Sequence, residues 1–400
     1  MDIVKIILDF NTGRDPERLA MKYQHMRSSP FVFLRGACHL FYDRLPQSRL
    51  FERAPAVWVS GDLHLENFGS YKGDNRLVYF DVNDFDEAVL APLTWELVRF
   101  LSSVLVGAPS LKVTPPEALA LCHTFLDAYT QALAHGKARW LERETAQGMV
   151  AQLLTSAQTR LRPAFLDTRT ELVGRKRRIR LDGKKALPLS KGQRDTVLRF
   201  MQDFAAQQDN PRFFKVLDVA RRIAGTGSLG VDRYILLVTG KGSPEGNYLL
   251  DLKAAQSSSL TPHLKVKQPR WPSEAHRVVA IQQRFQAVSM AFLQPVRLEA
   301  ASYVLRGLQP SEDRVALATW HKHLRRLEGV MQSMGELVAW GQLRSSGRDG
   351  SAIIDELIEF ASQTRWRKEI LDAAAHSAQQ VHQDWKTFAA AYDAGQFQPD

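Results

Sequence analysis

Two acidic segments and one glycine-rich segment carry the residues whose chemistry most needs explaining. The first, Gly61-Asp62-Leu63-His64-Leu65-Glu66-Asn67-Phe68-Gly69, follows an apolar stretch and sets an Asp and an Asn five residues apart. On a short loop such a pair suits phosphoryl transfer: Asp62 orients an attacking hydroxyl and accepts its proton, and the amide oxygen of Asn67 holds Mg²⁺. The bland alternative is a polar turn in which Asp62 caps backbone N–H groups. The second segment, Asp81-Val82-Asn83-Asp84-Phe85-Asp86-Glu87, ends the next strand-like run. A hairpin between the two puts another acid beside the first loop, and Mg²⁺ takes one or two carboxylates alongside phosphate oxygens. Asp84 is the first choice of metal ligand and Asp81 the next; other acids here suit surface positions or helix N-caps.

The glycine-rich segment is Gly225-Thr226-Gly227-Ser228-Leu229-Gly230. A dinucleotide-binding fold needs a helix to start at such a loop. Here a β-branched and aromatic run follows instead, Val231 to Val238. Glycines at a hairpin tip let backbone approach a triphosphate closely, although a plain turn also uses them. Lys253 stands on the next strand-like run, where a phosphate-pairing lysine belongs. A lysine in an apolar strand must snorkel or find an anion, and Asp251 on the same face is a local candidate.

The elements that position these residues change period along the chain. Residues 15–50 read as helices, starting at Pro16. Residues 56–86 read as short strands with a Gly73-Asp74-Asn75 turn. Helix returns from Trp95 to about residue 160, with apolar positions Leu97, Phe100, Leu101 and Val104. Another helix is expected near 192–208, a strand-rich block over 213–253, a helix over 273–292 and a strand at 301–308. From Ser311 to Ala394 the chain reads as helical, with a break at Ser345–Gly350. No internal repeat or low-complexity segment is present.

Charge is as unevenly spread as chemistry. The chain has 400 residues, 44% hydrophobic and 24% charged, with a formal charge of +10; this is globular composition with room for two or three domains. Between Arg160 and Arg194 twelve Lys and Arg meet only Asp167, Glu171 and Asp182. That stretch suits an anionic partner, such as nucleic acid, phosphate or an acidic membrane, or else a solvated hairpin. It lacks the aromatics of a single-strand stacking platform. The opposite pole is Asp62 to Glu96, with eight acids against Lys72 and Arg76. Cys38 and Cys122 form no CxxC pair, which points to an intracellular, cytoplasmic setting. Asp2, Lys5 and Asp9 do not read as a signal peptide, and no apolar run reaches the ~20 residues of a membrane span.

With these motifs on the page, the chain resembles the protein-kinase-like superfamily. GDLHLEN is similar to the catalytic loop of aminoglycoside phosphotransferases and choline kinases. A closer resemblance is to the bacterial family termed domain of unknown function 2252. It runs through SPFVFLRG (29–36), GDLHLENFG (61–69), VYFDVNDFDEA (78–88), the P-x-x-W-E-L-x-R run at 92–99, and RIAGTGSLGVDRY (222–234) with Lys253. The resemblance implies an α+β, protein-kinase-like two-lobe fold using ATP and Mg²⁺. Asp62 is then catalytic, Asn67, Asp84 and Asp81 hold metal, and Gly225, Thr226, Gly227, Ser228, Gly230 and Lys253 hold the nucleotide.

In kinases the glycine loop and lysine precede the catalytic loop, whereas here they follow it by more than 150 residues. The expected assembly is therefore circularly permuted. Residues 1–210 supply a helical catalytic part, 211–310 a β-rich nucleotide part, and 311–400 helices completing the larger lobe. Adenine is expected near ASYVLRGL (301–308), with Arg35 and Arg306 as candidate anion contacts. A kinase lysine pairs with a glutamate on the following helix; SEAHRVVAIQQRFQ offers only Glu274. At the late helix break, where the family tends to carry a histidine, the chain has Gln342 and Arg344.

The expected function is phosphoryl transfer to a hydroxyl-bearing acceptor of unknown identity, with nucleotidyl transfer open to the same parts. Two alternatives stand beside it. One is a metal-dependent phosphohydrolase using Asp62, His64 and Glu66. The other is an inactive nucleotide- or nucleic-acid-binding protein in which the basic 160–194 segment does the binding.

Overall fold

The computed structural model describes residues 2–310 and 313–397. The architecture is mixed α+β, 49% helix and 16% strand, with a curled antiparallel sheet. Four short strands come first: β1 (Ala56–Val59), β2 (Phe68–Lys72), β3 (Val78–Val82) and β4 (Val89–Pro92). β2 and β3 make the expected hairpin, with Phe68 opposite Val82, and β5 (Leu141–Glu142) adds to the other edge of β3. β1 pairs with β4, Val59 opposite Val89. Loops 60–67 and 83–88 therefore leave paired strand ends and return to paired strand ends, which holds them side by side.

The basic stretch folds as a hairpin of β6 (Thr170–Val173) and β7 (Lys176–Ile179). Arg177 is buried there, donating to Asp167 (2.6 Å), Thr170 and the Pro244 carbonyl. Next comes a six-stranded antiparallel sheet of β8 (Ala186–Leu187), β9 (Val216–Arg222), β10 (Arg233–Val238), β11 (Tyr248–Ala254), β12 (Gln294–Leu298) and β13 (Ala301–Gly307). Its spatial order is β12-β13-β11-β10-β9-β8.

Period-two alternation sorts the two faces of this sheet. Tyr234, Leu236, Val238, Leu250, Leu252 and Leu305 pack under Val197, Met201 and Phe204 of the helix Lys191–Ala206. Ala220, Ile235, Leu237 and Leu249 face the other way and meet Leu166 and Ile179. Arg222, Arg233, Asp251, Lys253 and Arg306 fall on this second face by the same alternation. The helix Lys191–Ala206 and the basic hairpin pack against opposite faces of this sheet.

The remainder is a helical body whose centre is Leu93–Leu111, buried along most of its length. It packs with Trp366–Asp393, and Pro115–His135 packs with Leu324–Ser345. Thr114 and Glu117 form a capping box that starts Pro115–His135. The helix Glu274–Phe285 sits between the two parts, its Ala275, Val278, Ile281 and Phe285 joining the core of the helical body. It is shorter than expected because the chain turns at Gln286, whose amide donates to the Val82 carbonyl (2.7 Å). Among the described residues no helix is long and apolar enough to cross a membrane.

Candidate functional site

The helix Leu93–Leu111 presents Glu96, Arg99 and Ser103 on one face, since side chains three and four apart are helical neighbours. Loop 60–67 lies along that face. Ser60 donates its N–H and its hydroxyl to Glu96 Oε1, both at 2.6 Å. Arg99 donates from Nε (3.0 Å) and Nη2 (2.6 Å) to Asp62 Oδ1. Leu65 N–H reaches Ser103 Oγ at 3.2 Å. Glu96 also accepts from Gln342 Nε2 (3.2 Å), whose own oxygen accepts from Tyr129 (2.6 Å). Gln342 therefore steadies the loop from behind. Gly61 adopts φ +84°, and a Cβ there would lie 2.2 Å from the Glu87 carbonyl oxygen, so the two acidic loops touch only because this residue has no side chain.

Burial pushes the Asp62 carboxyl up, Arg99 pulls it down, and the net displacement is upward. A carboxylate displaced that way is a better proton acceptor. Asn67 donates Nδ2 to the Asp62 carbonyl at 2.6 Å, which leaves its amide oxygen free of hydrogen bonds among the described residues. His64 is buried with Nδ1 accepting from Glu66 N–H (3.1 Å). Burial, then Arg35, Arg99 and Arg314, push its pKa well down, so the ring is neutral and structural. Glu66 is gripped by Arg35 and Arg314, each at 2.8 Å.

On the second loop, burial pushes the Asp84 carboxyl up, but Lys253, Arg306 and Arg233 outweigh it and hold the group below its ordinary range. Asp84 is thus an ionised hard-oxygen donor. Asp86 forms an ion pair with Lys253. Glu87 accepts from Ser259 N–H (2.6 Å) and hydroxyl (2.9 Å). Arg277 donates to the carbonyls of Asp86 (2.8 Å), Gln256 (2.9 Å) and Ala88, and is itself held by Glu274 at 2.6 Å. Glu274, the only helix acid available to Lys253 by sequence, is committed to Arg277. Asp251, the local candidate, is committed to Arg233 (2.6 Å), Arg222 (2.7 Å) and Arg306 (3.4 Å). The partner of Lys253 is Asp86.

The glycine loop joins β9 to β10, and its carbonyls are tied back by cations from the N-terminal segment. Arg14 donates to the carbonyls of Gly227 (2.7 Å) and Leu229 (3.2 Å). Buried Lys22 donates to Gly227 (3.0 Å) and to Asn11 (2.8 Å). Arg18 donates to Val231 (3.0 Å). Among the described hydrogen bonds, none uses the backbone N–H of Gly225, Thr226, Gly227 or Ser228. Consecutive unspent amides of this kind make an anion cradle.

These pieces meet in one narrow cavity of about 80 Å³. Asp62, Asn67, Asp84, Gly225, Thr226, Gly227, Ser228 and Lys253 all line it, with Asp86, Arg14, Arg35 and Arg314. Two residues expected at the site lie elsewhere. Gly230, at φ +86°, packs against Arg14 outside the cavity. Asp81 is held within β3, where it accepts from Val82 N–H (2.8 Å). Burial pushes it up to about 6 against the opposing pull of Arg344 and of the Val82 and Ala287 amides. Strand pairing fixes Asp81 away from the loop, whereas Asp84 lies beyond the end of β3 and follows the loop into the cavity.

Sequence reading missed Arg99, Arg14, Lys22 and the pairing role of Asp86. The spacing of Glu96, Arg99 and Ser103 was the available signal for the first. The amide oxygen of Asn67 and the carboxylate of Asp84 suit Mg²⁺ by donor type. Among the described residues no group of three or more His, Cys, Asp and Glu gathers around a common point, so a metal here would draw its other ligands from phosphate and water.

No curated protein and no solved structure matches the chain. A family profile described as an uncharacterized protein conserved in bacteria matches residues 14–391, which spans every segment of the cavity just described. The chain belongs to that family, DUF2252.

Proposed function

We propose that this protein is an ATP- and Mg²⁺-dependent phosphotransferase acting on a hydroxyl-bearing acceptor. The observation that carries the reading is the convergence of Asp62, Asn67 and Asp84 with Gly225–Ser228 and Lys253 in one cavity, from segments more than 150 residues apart. The site then works as kinase-like sites of permuted chain order would, because roles in space and not sequence order define them.

In this reading Asp62 takes the proton of the acceptor hydroxyl as its oxygen bonds to phosphorus and the bond to the leaving diphosphate breaks. Arg99 fixes the carboxylate through one oxygen and leaves the other for that proton. The unspent amides of Gly225–Ser228 and the ammonium of Lys253 hold the phosphate oxygens, with Asp86 keeping Lys253 in place. Asp84 and Asn67 would hold Mg²⁺, which neutralises charge developing between the phosphates. Catalysis is then positioning and electrostatics. The phosphohydrolase alternative gains no comparable support, since His64 spends Nδ1 on the Glu66 amide.

The test is ADP release from ATP and Mg²⁺ in the presence of a bacterial metabolite extract. Asp62→Asn should cut turnover by at least about a hundredfold, the usual scale for a general base, while calorimetric ATP affinity stays within about threefold. Turnover equal to wild type in Asp62→Asn would contradict the assignment.

A further inference from the structure

The hairpin of β6 and β7 has two unlike faces, because residues opposite each other across a strand pair share a face. Thr170 opposite Ile179 and Leu172 opposite Arg177 make the inner face. Ile179 packs with Leu166, Ala220 and Leu237, and its N–H donates to Asp218 Oδ2 at 3.0 Å. Arg177 is held by Asp167, Thr170 and the Pro244 carbonyl. Glu171 opposite Arg178 and Val173 opposite Lys176 make the outer face, and all four are exposed. The hairpin is thus clamped on one side and open to solvent on the other.

Its turn is both apolar and cationic. Leu172 is 54% exposed and Val173 49% exposed, and Gly174, Arg175 and Lys176 follow them into solvent. Arg178 and Arg180 continue the row of exposed cations. Such a row suits an anionic partner, but phosphate binding alone gives no reason to hold two adjacent aliphatic side chains in water. Nucleic-acid recognition draws on stacking rings and on amide side chains that read base edges. Residues 170–185 contain no Phe, Tyr, Trp, Asn or Gln. An anionic bilayer takes both halves of the pattern: cations gather at its surface, and aliphatic side chains enter the boundary between headgroups and acyl chains. Aliphatic residues scattered singly on a surface need no explanation; two in succession at one turn, followed by two cations, do.

We propose that the β6–β7 hairpin is a peripheral docking surface for an anionic phospholipid bilayer, with Leu172 and Val173 entering the headgroup boundary and Arg175, Lys176 and Arg178 contacting lipid phosphates. A short apolar turn and a few cations are each weak signals, so association is reversible and falls as salt rises. Docking of this kind does not depend on the phosphotransferase reading.

The experiment is cosedimentation of the full chain, at low salt, with vesicles of equal parts phosphatidylglycerol and phosphatidylcholine, and in parallel with vesicles of phosphatidylcholine alone. Wild type should bind the anionic vesicles at least about tenfold more tightly than the neutral ones. Lys176→Gln combined with Arg178→Gln should weaken that binding about twentyfold, since each cation near an anionic surface contributes about fivefold. Leu172→Ser combined with Val173→Ser should weaken it by about fivefold or more. Arg199→Gln combined with Lys386→Gln removes the same charge from exposed positions on two other elements and should change binding by less than about twofold. All six positions are exposed, so melting temperatures should match wild type. Failure of wild type to bind, or a control pair that weakens binding as far as the hairpin pair does, overturns the proposal. Unchanged vesicle binding in the Leu172→Ser, Val173→Ser chain overturns it too, and displacement of the vesicles by duplex DNA in that chain would make the hairpin a nucleic-acid surface instead.

Discussion

Lys253 on β11 is ion-paired with Asp86, a residue 167 positions earlier in the chain. The pair ties the sheet to the acidic loop and aims the lysine into the cavity that also holds Asp62, Asn67 and Asp84. The pairing leaves Glu274 to hold Arg277, which in turn pins the carbonyls of the same acidic loop. Loop, strand and helix are thereby locked together around one site.

Lys253→Met should abolish this link and remove a phosphate contact. A hydrogen bond involving a charged group contributes about 1.5–3 kcal/mol, so ATP affinity should fall roughly ten- to a hundredfold by calorimetry. The fold should survive, because Asp86 is partly exposed and can solvate its freed carboxylate. An unchanged affinity would remove Lys253 from the site.

Arg99 and Asp62 should behave as a coupled buried pair. Removing one member leaves an uncompensated charge, a loss of about 3–5 kcal/mol. Arg99→Met is therefore expected to destabilise the protein strongly in urea unfolding. Adding Asp62→Asn to that variant should restore a large part of the loss. Simple additivity of the two changes would show that they do not interact.

Asp81 gives a pH signature. Its folded carboxyl is pushed up to about 6 from an ordinary 3.8, so between these values the folded state binds the extra proton. Stability contributed by this group is present below about pH 4 and is lost as pH rises through 6. Asp81→Asn should thus stabilise the protein at pH 8 by about 1–3 kcal/mol and change little at pH 4. ATP affinity in Mg²⁺ should not move. Weaker nucleotide binding in this variant would restore Asp81 to the metal site.

Gly230 tests the seating of the glycine loop. Its φ is +86°, and a Cβ there would lie 2.8 Å from the Arg14 Cβ. Gly230→Ala must shift the loop off Arg14, at a cost of order 1–3 kcal/mol for a strained residue. ATP affinity and melting temperature should both fall. A variant matching wild type in both would show that Arg14 does not set the loop's position.

Motifs confined to one loop were legible in the sequence, and relations between distant segments were not. GDLHLEN, the Asp84 loop and the glycine hairpin each combine residue type with local strand context, and they do meet. The choice between Asp81 and Asp84 depended on where β3 ends, which composition does not reveal. Arg14, Arg18 and Lys22 sit in and just before a helix that reads as ordinary and polar, and their reach to the glycine loop spans more than 200 residues. The Asp86 pairing was hidden for the same reason. The basic stretch read equally as a surface for an anionic partner and as a solvated hairpin, and neither reading revealed that Arg177 within it is buried.

The most direct test of the account is ATP titration with and without Mg²⁺ into wild type and Asp84→Asn. One nucleotide–metal site built from both halves of the chain predicts binding that strengthens with Mg²⁺ in wild type and loses that dependence in Asp84→Asn. Wild-type protein that fails to bind ATP, or an Asp84→Asn variant with the full Mg²⁺ dependence, would contradict it.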